Sequence, residues 1–174
     1  FDEDVLEDAF GGFSIGLDQN LTAAPLSYSA SFTLMDVFTE SDDTREAVAY
    51  APDFTGRFGA TYQWRSRDIA VEYAADLVGP KRMPDNYVEE FDRARWSPTH
   101  TTHDLKVTTE FTSVNGENGL GIETYVSVEN IFSFRPGSPL VHAATPFSEK
   151  FDTIYSWGPI AGRSAIAGVR LNLR

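Results

Sequence analysis

Two segments of the sequence decide the fold: residues 26–34, LSYSASFTL, and residues 54–64, FTGRFGATYQW. In both, large apolar side chains alternate with small or polar ones, and this period of two is that of a β-strand with one apolar face. The opposite face carries serine, threonine, arginine and glutamine, so no apolar surface remains there to form an interior. Long alternating runs with aromatic residues at their ends are typical of a wall between lipid and an aqueous lumen.

The same period recurs along the chain and predicts an all-β fold of about seven antiparallel strands. Their predicted ranges are 12–18, 25–39, 53–65, 68–78, 102–112, 120–132 and 163–173. The predicted connections are short at 19–24, 66–67 and 115–119 and long at 40–52, 79–101 and 133–162. Because outer-membrane barrels have tight turns on one side and long loops on the other, the sequence predicts an antiparallel transmembrane β-barrel segment. The alternative is a soluble antiparallel β-sandwich or lipocalin-like barrel that serves as a ligand-binding or adhesion module.

Composition and charge argue against several classes of protein. The formal net charge of −12, from 14 basic and 26 acidic residues, argues against a nucleic-acid partner, because phosphate contacts need a basic stripe. The absence of cysteine excludes disulfides and thiolate metal sites. No run of about 18 apolar residues is present, which excludes a transmembrane helix, whereas a barrel strand needs only about 9 to 11 alternating residues. The acidic residues cluster outside or at the ends of the alternating runs. These clusters are either solvated loop surface or ligands for divalent cations.

The predicted number of strands leaves the sheet incomplete. About seven strands fall below the smallest usual closed barrel of about eight, and an odd number places the two termini on opposite sides of the membrane. An open sheet edge is forbidden in lipid, because its amides have no water partner there. We therefore expect further strands, either from the same precursor or from a partner chain.

The histidines and the glycine-rich turn form no recognisable catalytic or metal-binding motif. His100 and His103 are three residues apart on a strand, so we expect their side chains to face opposite sides of the sheet. The sequence around the serines offers no recognisable nucleophile for a Ser-His hydrolase. The glycines of 116–121 precede no helix that could hold a phosphate, and they fit a hairpin with Asn-Gly turns. The sequence therefore predicts neither enzyme activity nor a cofactor or metal.

Two motifs in the last third of the sequence carry a more specific signal. One closes the sixth predicted strand as VENIF at 128–132, and the other introduces the last strand as WGPIAGR at 157–163. Together they resemble the C-terminal end of TonB-dependent outer-membrane receptors. Asn130 can satisfy loop amides where strand pairing ends, and Pro159 and Gly162 mark the boundary where the chain enters a strand. The residues that carry the resemblance, with an expected structural role, are Val128, Glu129, Asn130, Phe132, Trp157, Gly158, Pro159, Gly162 and Arg163.

The resemblance implies transport rather than catalysis. Receptors of this family reside in the bacterial outer membrane and take up a scarce ligand, such as a metal chelate, cobalamin or a saccharide. Residues 1–174 would then be a single partial domain without the plug domain, the C-terminal strands of a barrel of about 22 strands. The implied partners are outer-membrane lipid, the remaining barrel strands, the plug and, through the plug, the energising protein of the inner membrane. Arg174 departs from the terminal aromatic residue of many outer-membrane proteins.

Four aromatic residues fall in the predicted long loops. Because loop aromatics often contact ligands, they are candidate ligand contacts. Packing of the loops against one another is the alternative, since large aromatic rings tend to be buried. The four residues are Tyr87, Trp96, Phe134 and Phe151.

Overall fold

The structure is a computed structural model, which describes residues 7–41, 44–84, 94–113, 120–137, 144–148, 151 and 155–173. Within these residues the protein is all-β, and its eight antiparallel strands belong to one sheet. The strands are β1 (Glu7–Leu21), β2 (Leu26–Ser41), β3 (Thr44–Ala47), β4 (Phe54–Trp64), β5 (Ile69–Val78), β6 (His100–Ser113), β7 (Leu120–Glu129) and β8 (Ser164–Leu173).

The strands follow one another as an antiparallel meander. Their order across the sheet is β1-β2-β4-β5-β6-β7-β8, and β3 pairs with β2. The described residues contain no pairing between the edge strands β1 and β8, so the sheet is not closed. The predicted strands agree with the observed ones within a few residues, except that β1 is longer and pairs with β2 over its whole length.

The predicted long loop at 40–52 is wrong. β2 continues to Ser41 and pairs with β3, where Phe38 lies opposite Ala47. The chain rejoins β2 at Phe54, so β3 and β4 lie one after the other along the same edge of that strand. β3 is only four residues long and shows no apolar alternation, which is why the sequence predicts about seven strands rather than eight.

The register gives the whole sheet two distinct faces. Residues that lie directly opposite one another on paired strands point to the same side. Ala30 lies opposite Leu17 and Phe58, whereas Ser29 lies opposite Asp18 and Gly59. This separation continues across the sheet, and we call the two sides the apolar face and the polar face. Exceptions on the polar face are the exposed Ile166, opposite Ser127, and the exposed Phe10, opposite Val37.

The sheet is a single layer, and the described part of the chain forms no conventional hydrophobic core. Among the described residues, Met83 is the buried hydrophobic residue. The chain exposes 12748 Å², whereas a folded globular monomer of 19.3 kDa exposes about 8500 Å². Among the residues that the structure describes, no second layer covers either face of the sheet.

Candidate functional site

The apolar face is a candidate interaction surface that extends over the whole sheet. Its side chains come from strands across the whole sheet, and many large ones are exposed to a degree that soluble domains rarely show over a continuous area. Its exposed members include Phe13, Ile15, Leu17, Phe32, Leu34, Phe58, Tyr62, Trp64, Leu105, Val107, Phe111, Val126, Val169 and Leu171.

The apolar face is a band with polar limits. On β2 it runs over 26–34 and ends where Asp36 forms an ion pair with Arg45, whose guanidinium also lies 3.6 Å from the ring centroid of Phe38. Nine residues rise about 27 Å along a strand, and a tilt of about 40° reduces this height to about 20 Å. This height is close to the band of about 25 Å found on transmembrane barrels.

The polar face carries ion pairs between neighbouring strands. All of the charged groups involved are partly exposed, so each pair stabilises the sheet by only about 0.2 to 1 kcal/mol. The pairs are Arg57 with Asp76 at 3.6 Å, Lys106 with Glu72 at 3.2 Å and Arg170 with Glu123 at 3.2 Å. Charges at this density mark a hydrated surface.

The sheet curls toward its polar face. Asp18 of β1 and Ser127 of β7 line the same groove of about 540 Å³, although several strands separate them in the sheet. Between them the groove is lined by Arg57, Glu72 and Lys106. The polar face is therefore concave, and the apolar face is convex.

The two histidines of β6 lie on opposite faces, as their spacing predicts. His103 lies on the apolar face opposite Ala75, and its Nδ1 is 2.6 Å from the hydroxyl oxygen of Tyr73. Its ring also meets the exposed ring of Phe132 edge-on, with centroids 4.9 Å apart. His100 lies on the polar face, at the loop end of β6.

Asn130 joins the two predicted motifs. Its Nδ2 donates hydrogen bonds to the carbonyl oxygens of Phe134 at 2.8 Å and Ala161 at 3.4 Å, and its Oδ1 accepts one from the Phe134 amide at 2.9 Å. The Asn130 amide donates to the Asp104 carboxylate at 2.8 Å. Asn130 is buried and has a φ of 49°, a conformation that asparagine tolerates better than most residues. The Asn130 side chain thus satisfies the amide and the carbonyl of Phe134 in the loop that follows β7.

A cluster around His100 lies beside this junction, and we call it the loop clasp: Lys81, Ser97, His100, Phe134 and Trp157. The His100 ring is stacked on Phe134, with centroids 5.3 Å apart and an interplanar angle of 10°, and it meets Trp157 edge-on at 5.3 Å. The Lys81 ammonium donates to the Trp157 carbonyl at 3.1 Å, and the Lys81 amide donates to the Ser97 hydroxyl at 3.0 Å. The connection between β5 and β6 and the connection between β7 and β8 therefore meet at one imidazole ring.

The loop clasp disfavours a charged histidine. Burial lowers the pKa of His100 below its usual value of 6.5, and the positive charge of Lys81 lowers it further. The nearby backbone carbonyl of Pro98 acts in the opposite direction. On β6 the large apolar side chains begin only at Leu105, so His100 lies beyond the apolar band. The ring is therefore neutral at neutral pH.

The glycines of the second motif allow close packing of the loops. The Arg135 guanidinium occupies the place where a Cβ on Gly162 would lie, and Gly162 is buried. Gly158 packs against the ring of Pro136, where a Cβ would be 3.4 Å away. The backbone amide of Arg163 donates a hydrogen bond to the Ser133 hydroxyl at 3.4 Å.

The remaining predicted residues are spread over the sheet and the loops. Val128 lies on the apolar face opposite Leu105, Glu129 accepts a hydrogen bond from the Ser164 hydroxyl at 3.0 Å, and Pro159 is half-buried in its loop. Among the candidate ligand contacts, Trp96 is exposed, Phe134 stacks on His100, Phe151 is half-buried, and Tyr87 lies outside the described residues.

Sequence reasoning missed Lys81, Met83, Ser97 and the loop role of His100. Lys81, Met83 and Ser97 belong to a long connection without periodicity, and His100 begins β6 at its end, so no local pattern marks them. The run from Pro80 to Met83 is nevertheless paired with neighbouring chain, since Lys81 forms an isolated bridge with Pro52 and Arg82 forms one with Trp96. The amide of Met83 also donates a hydrogen bond to the carbonyl of Arg95 at 2.7 Å, which joins the two halves of the same connection.

Within the described part of the chain, no helix is long and apolar enough to cross a membrane. The same residues contain no group of three or more histidine, aspartate or glutamate side chains placed to hold a metal ion. No family of known proteins, no curated protein and no solved structure matches the chain.

Proposed function

We propose that the chain forms part of the wall of a bacterial outer-membrane β-barrel, a TonB-dependent receptor that takes up a scarce ligand. The observation that carries this proposal is the single-layer sheet with a broad, exposed apolar band on its convex side. Lipid would cover this band. In water, each Å² of apolar surface left exposed would cost a free energy of about 25 cal/mol. The soluble alternative needs a second layer over the apolar face, and the described residues form none.

The concave polar face supports the same proposal. In a transmembrane barrel the inner face is hydrated. The ion pairs and the groove of about 540 Å³ lie on the concave polar face of this sheet. The wall would thus meet lipid with one face and the lumen or a plug with the other. The unpaired edges of β1 and β8 would pair with the remaining barrel strands, from the same precursor or from a separate chain.

The receptor family is proposed from the two motifs. Their residues come together where Asn130 bonds to Ala161 and where Trp157 packs on His100, so the motifs hold the last long loop against the sheet. A structural role of this kind fits their place before the final strand. The ligand would be of the class that such receptors import, a metal chelate, cobalamin or a saccharide, with energy supplied by an inner-membrane protein through the plug.

Fractionation of the native protein tests the membrane location. We expect the protein in the outer-membrane fraction, extractable only with detergent, and with a gel mobility that changes on heating. A monomer that stays dispersed without detergent would contradict the proposal and favour the soluble alternative.

A matched pair of substitutions tests which face meets lipid. Ala74 and Ala75 are adjacent on β5, but Ala74 lies on the polar face opposite Asp104 and Ala75 on the apolar face opposite Phe58. Ala75→Arg should cost about 2 to 4 kcal/mol and reduce insertion, because it places a charge in the middle of the membrane. Ala74→Arg should be tolerated in the hydrated lumen. Equal insertion of the two variants would overturn the assignment of the faces.

A further inference from the structure

A tryptophan–arginine pair lies at the turn between β4 and β5. The guanidinium carbon of Arg67 is 4.6 Å from the ring centroid of Trp64, and the Arg67 amide donates a hydrogen bond to the Trp64 carbonyl at 2.9 Å. Trp64 ends β4 on the apolar face and is 44% exposed. The turn therefore holds a cation against the last aromatic ring of the apolar band.

The charge of Arg67 has no acidic partner among the described residues. No ion pair or side-chain hydrogen bond there involves its guanidinium, and the neighbouring Asp68 forms no ion pair with it either. At the opposite end of the band, Arg45 is neutralised by Asp36 and stacks on Phe38. The turn end thus keeps an uncompensated cation, whereas the loop end does not.

The geometry leaves the donors of Arg67 available for an anion. The guanidinium carbon lies over the indole ring, and a cation–π contact of this kind uses none of the five N–H donors of an arginine for a hydrogen bond. A planar guanidinium binds phosphate through two parallel hydrogen bonds, and these charge-assisted bonds are about twice as strong as neutral ones. Tryptophan at the boundary of an apolar band marks the level of lipid headgroups.

We propose that Arg67 binds the phosphodiester of a phospholipid headgroup, with Trp64 as the residue that positions it. The inference rests on the proposed membrane function, because it needs acyl chains along the apolar face next to Trp64 and Tyr62. It adds a specific lipid contact at the turn end of the barrel wall. The phosphate belongs to a membrane lipid, because the apolar face beside Arg67 would hold the acyl chains of the same lipid molecule.

The test uses the protein purified from its native membrane in mild detergent. Native mass spectrometry measures its binding of phosphatidylglycerol, with diacylglycerol of the same acyl chains as the phosphate-free control. We expect the wild-type protein to retain phosphatidylglycerol at least about tenfold more strongly than diacylglycerol, the gain of a charge-assisted bidentate contact. Equal retention of the two lipids would overturn the proposal.

The variants separate this contact from general lipid adhesion. Arg67→Gln should weaken phosphatidylglycerol binding about tenfold, and Arg67→Lys should give an intermediate loss, because it keeps the charge without the planar fork. Arg65→Gln is the matched control in the same turn, since Arg65 lines a small groove with Gln63 and Asn20. Equal losses in Arg65→Gln and Arg67→Gln would overturn the assignment to Arg67.

Insertion distinguishes failure of this inference from failure of the proposed function. All three variants should keep the wild-type change of gel mobility on heating. If the protein inserts normally but Arg67→Gln binds phosphatidylglycerol like the wild type, the lipid contact is wrong and the barrel wall stands. If the wild-type protein needs no detergent at all, the membrane function itself is wrong.

Discussion

The imidazole ring of His100 lies parallel to the phenyl ring of Phe134, with their centroids 5.3 Å apart and an interplanar angle of 10°. This contact joins the start of β6 to the loop that follows β7. Burial lowers the pKa of His100, and the charge of the Lys81 ammonium, which donates a hydrogen bond to the carbonyl of Trp157, lowers it further. The loop clasp is therefore most stable when the histidine is neutral.

Acid should loosen the loop clasp. Because the pKa of His100 is lower in the folded protein than its usual value of 6.5, the unfolded or open form binds the proton more readily below pH 6.5. The stability of the clasp is therefore fully present above pH 6.5 and falls as the pH drops toward the lowered pKa, by at most about 1.4 kcal/mol per pH unit. Hydrogen-exchange protection factors of the loop amides at 133–137 and 155–161 measure this change.

The variant His100→Gln is the control for the acid effect. It keeps a polar side chain of similar reach but does not titrate, so its protection factors should change little across the same pH range. If the wild-type protein and His100→Gln lose protection in parallel, another group is responsible for the effect.

Replacement of Asn130 should destabilise the junction between the two motifs. Asn130→Ala leaves the amide and carbonyl of Phe134 without their partners and also places a less tolerant residue at a φ of 49°. We expect a loss of about 2 to 4 kcal/mol from these two effects, about 1 to 3 of it from the unsatisfied groups. Asn130→Gly relieves the backbone but not the hydrogen bonds, so it should recover only the smaller part. Denaturant titration of the protein in detergent measures both variants. Identical values for the two would show that the backbone conformation contributes nothing, and an Asn130→Gly variant as stable as the wild type would show that the side-chain bonds contribute nothing.

A double-mutant cycle tests the contact between Gly162 and Arg135. Gly162→Ala places a methyl group where the guanidinium lies, so either Arg135 or the loop must move, at a cost of about 1 to 3 kcal/mol. Arg135→Ala removes the obstacle. The double variant should therefore be more stable than the sum of the single effects predicts, and strict additivity would contradict a direct contact.

The cost of a charge on the apolar face should depend on depth. Phe58 and Tyr62 lie on the same face of β4 with similar exposure, 41% and 44%, but Phe58 is nearer the middle of the strand. Phe58→Arg should cost about 2 to 4 kcal/mol, whereas Tyr62→Arg near the band limit should cost about 0 to 1 kcal/mol. Unfolding from lipid vesicles measures the difference. In a soluble protein the two costs would follow local packing instead of depth.

Several features of the candidate site were predictable because they depend on short-range pattern. Asn130 follows directly on a strand and has a side chain that bonds to nearby backbone, so its role could be deduced from its place in the sequence. β3 was not predictable, since four mostly polar residues carry no period, and its existence depends on the length of β2.

The sequence by itself determined the strands and the division of their side chains between two faces, because alternate residues of any extended strand point to opposite sides. The tertiary structure decided that the polar face is concave and that Asp18 and Ser127 share one groove, since curvature arises from the pairing of the whole sheet. It also decided that His100 meets Phe134 and Trp157. Such contacts join loops far apart in sequence, and only the order of strands in the sheet brings those loops to the same place.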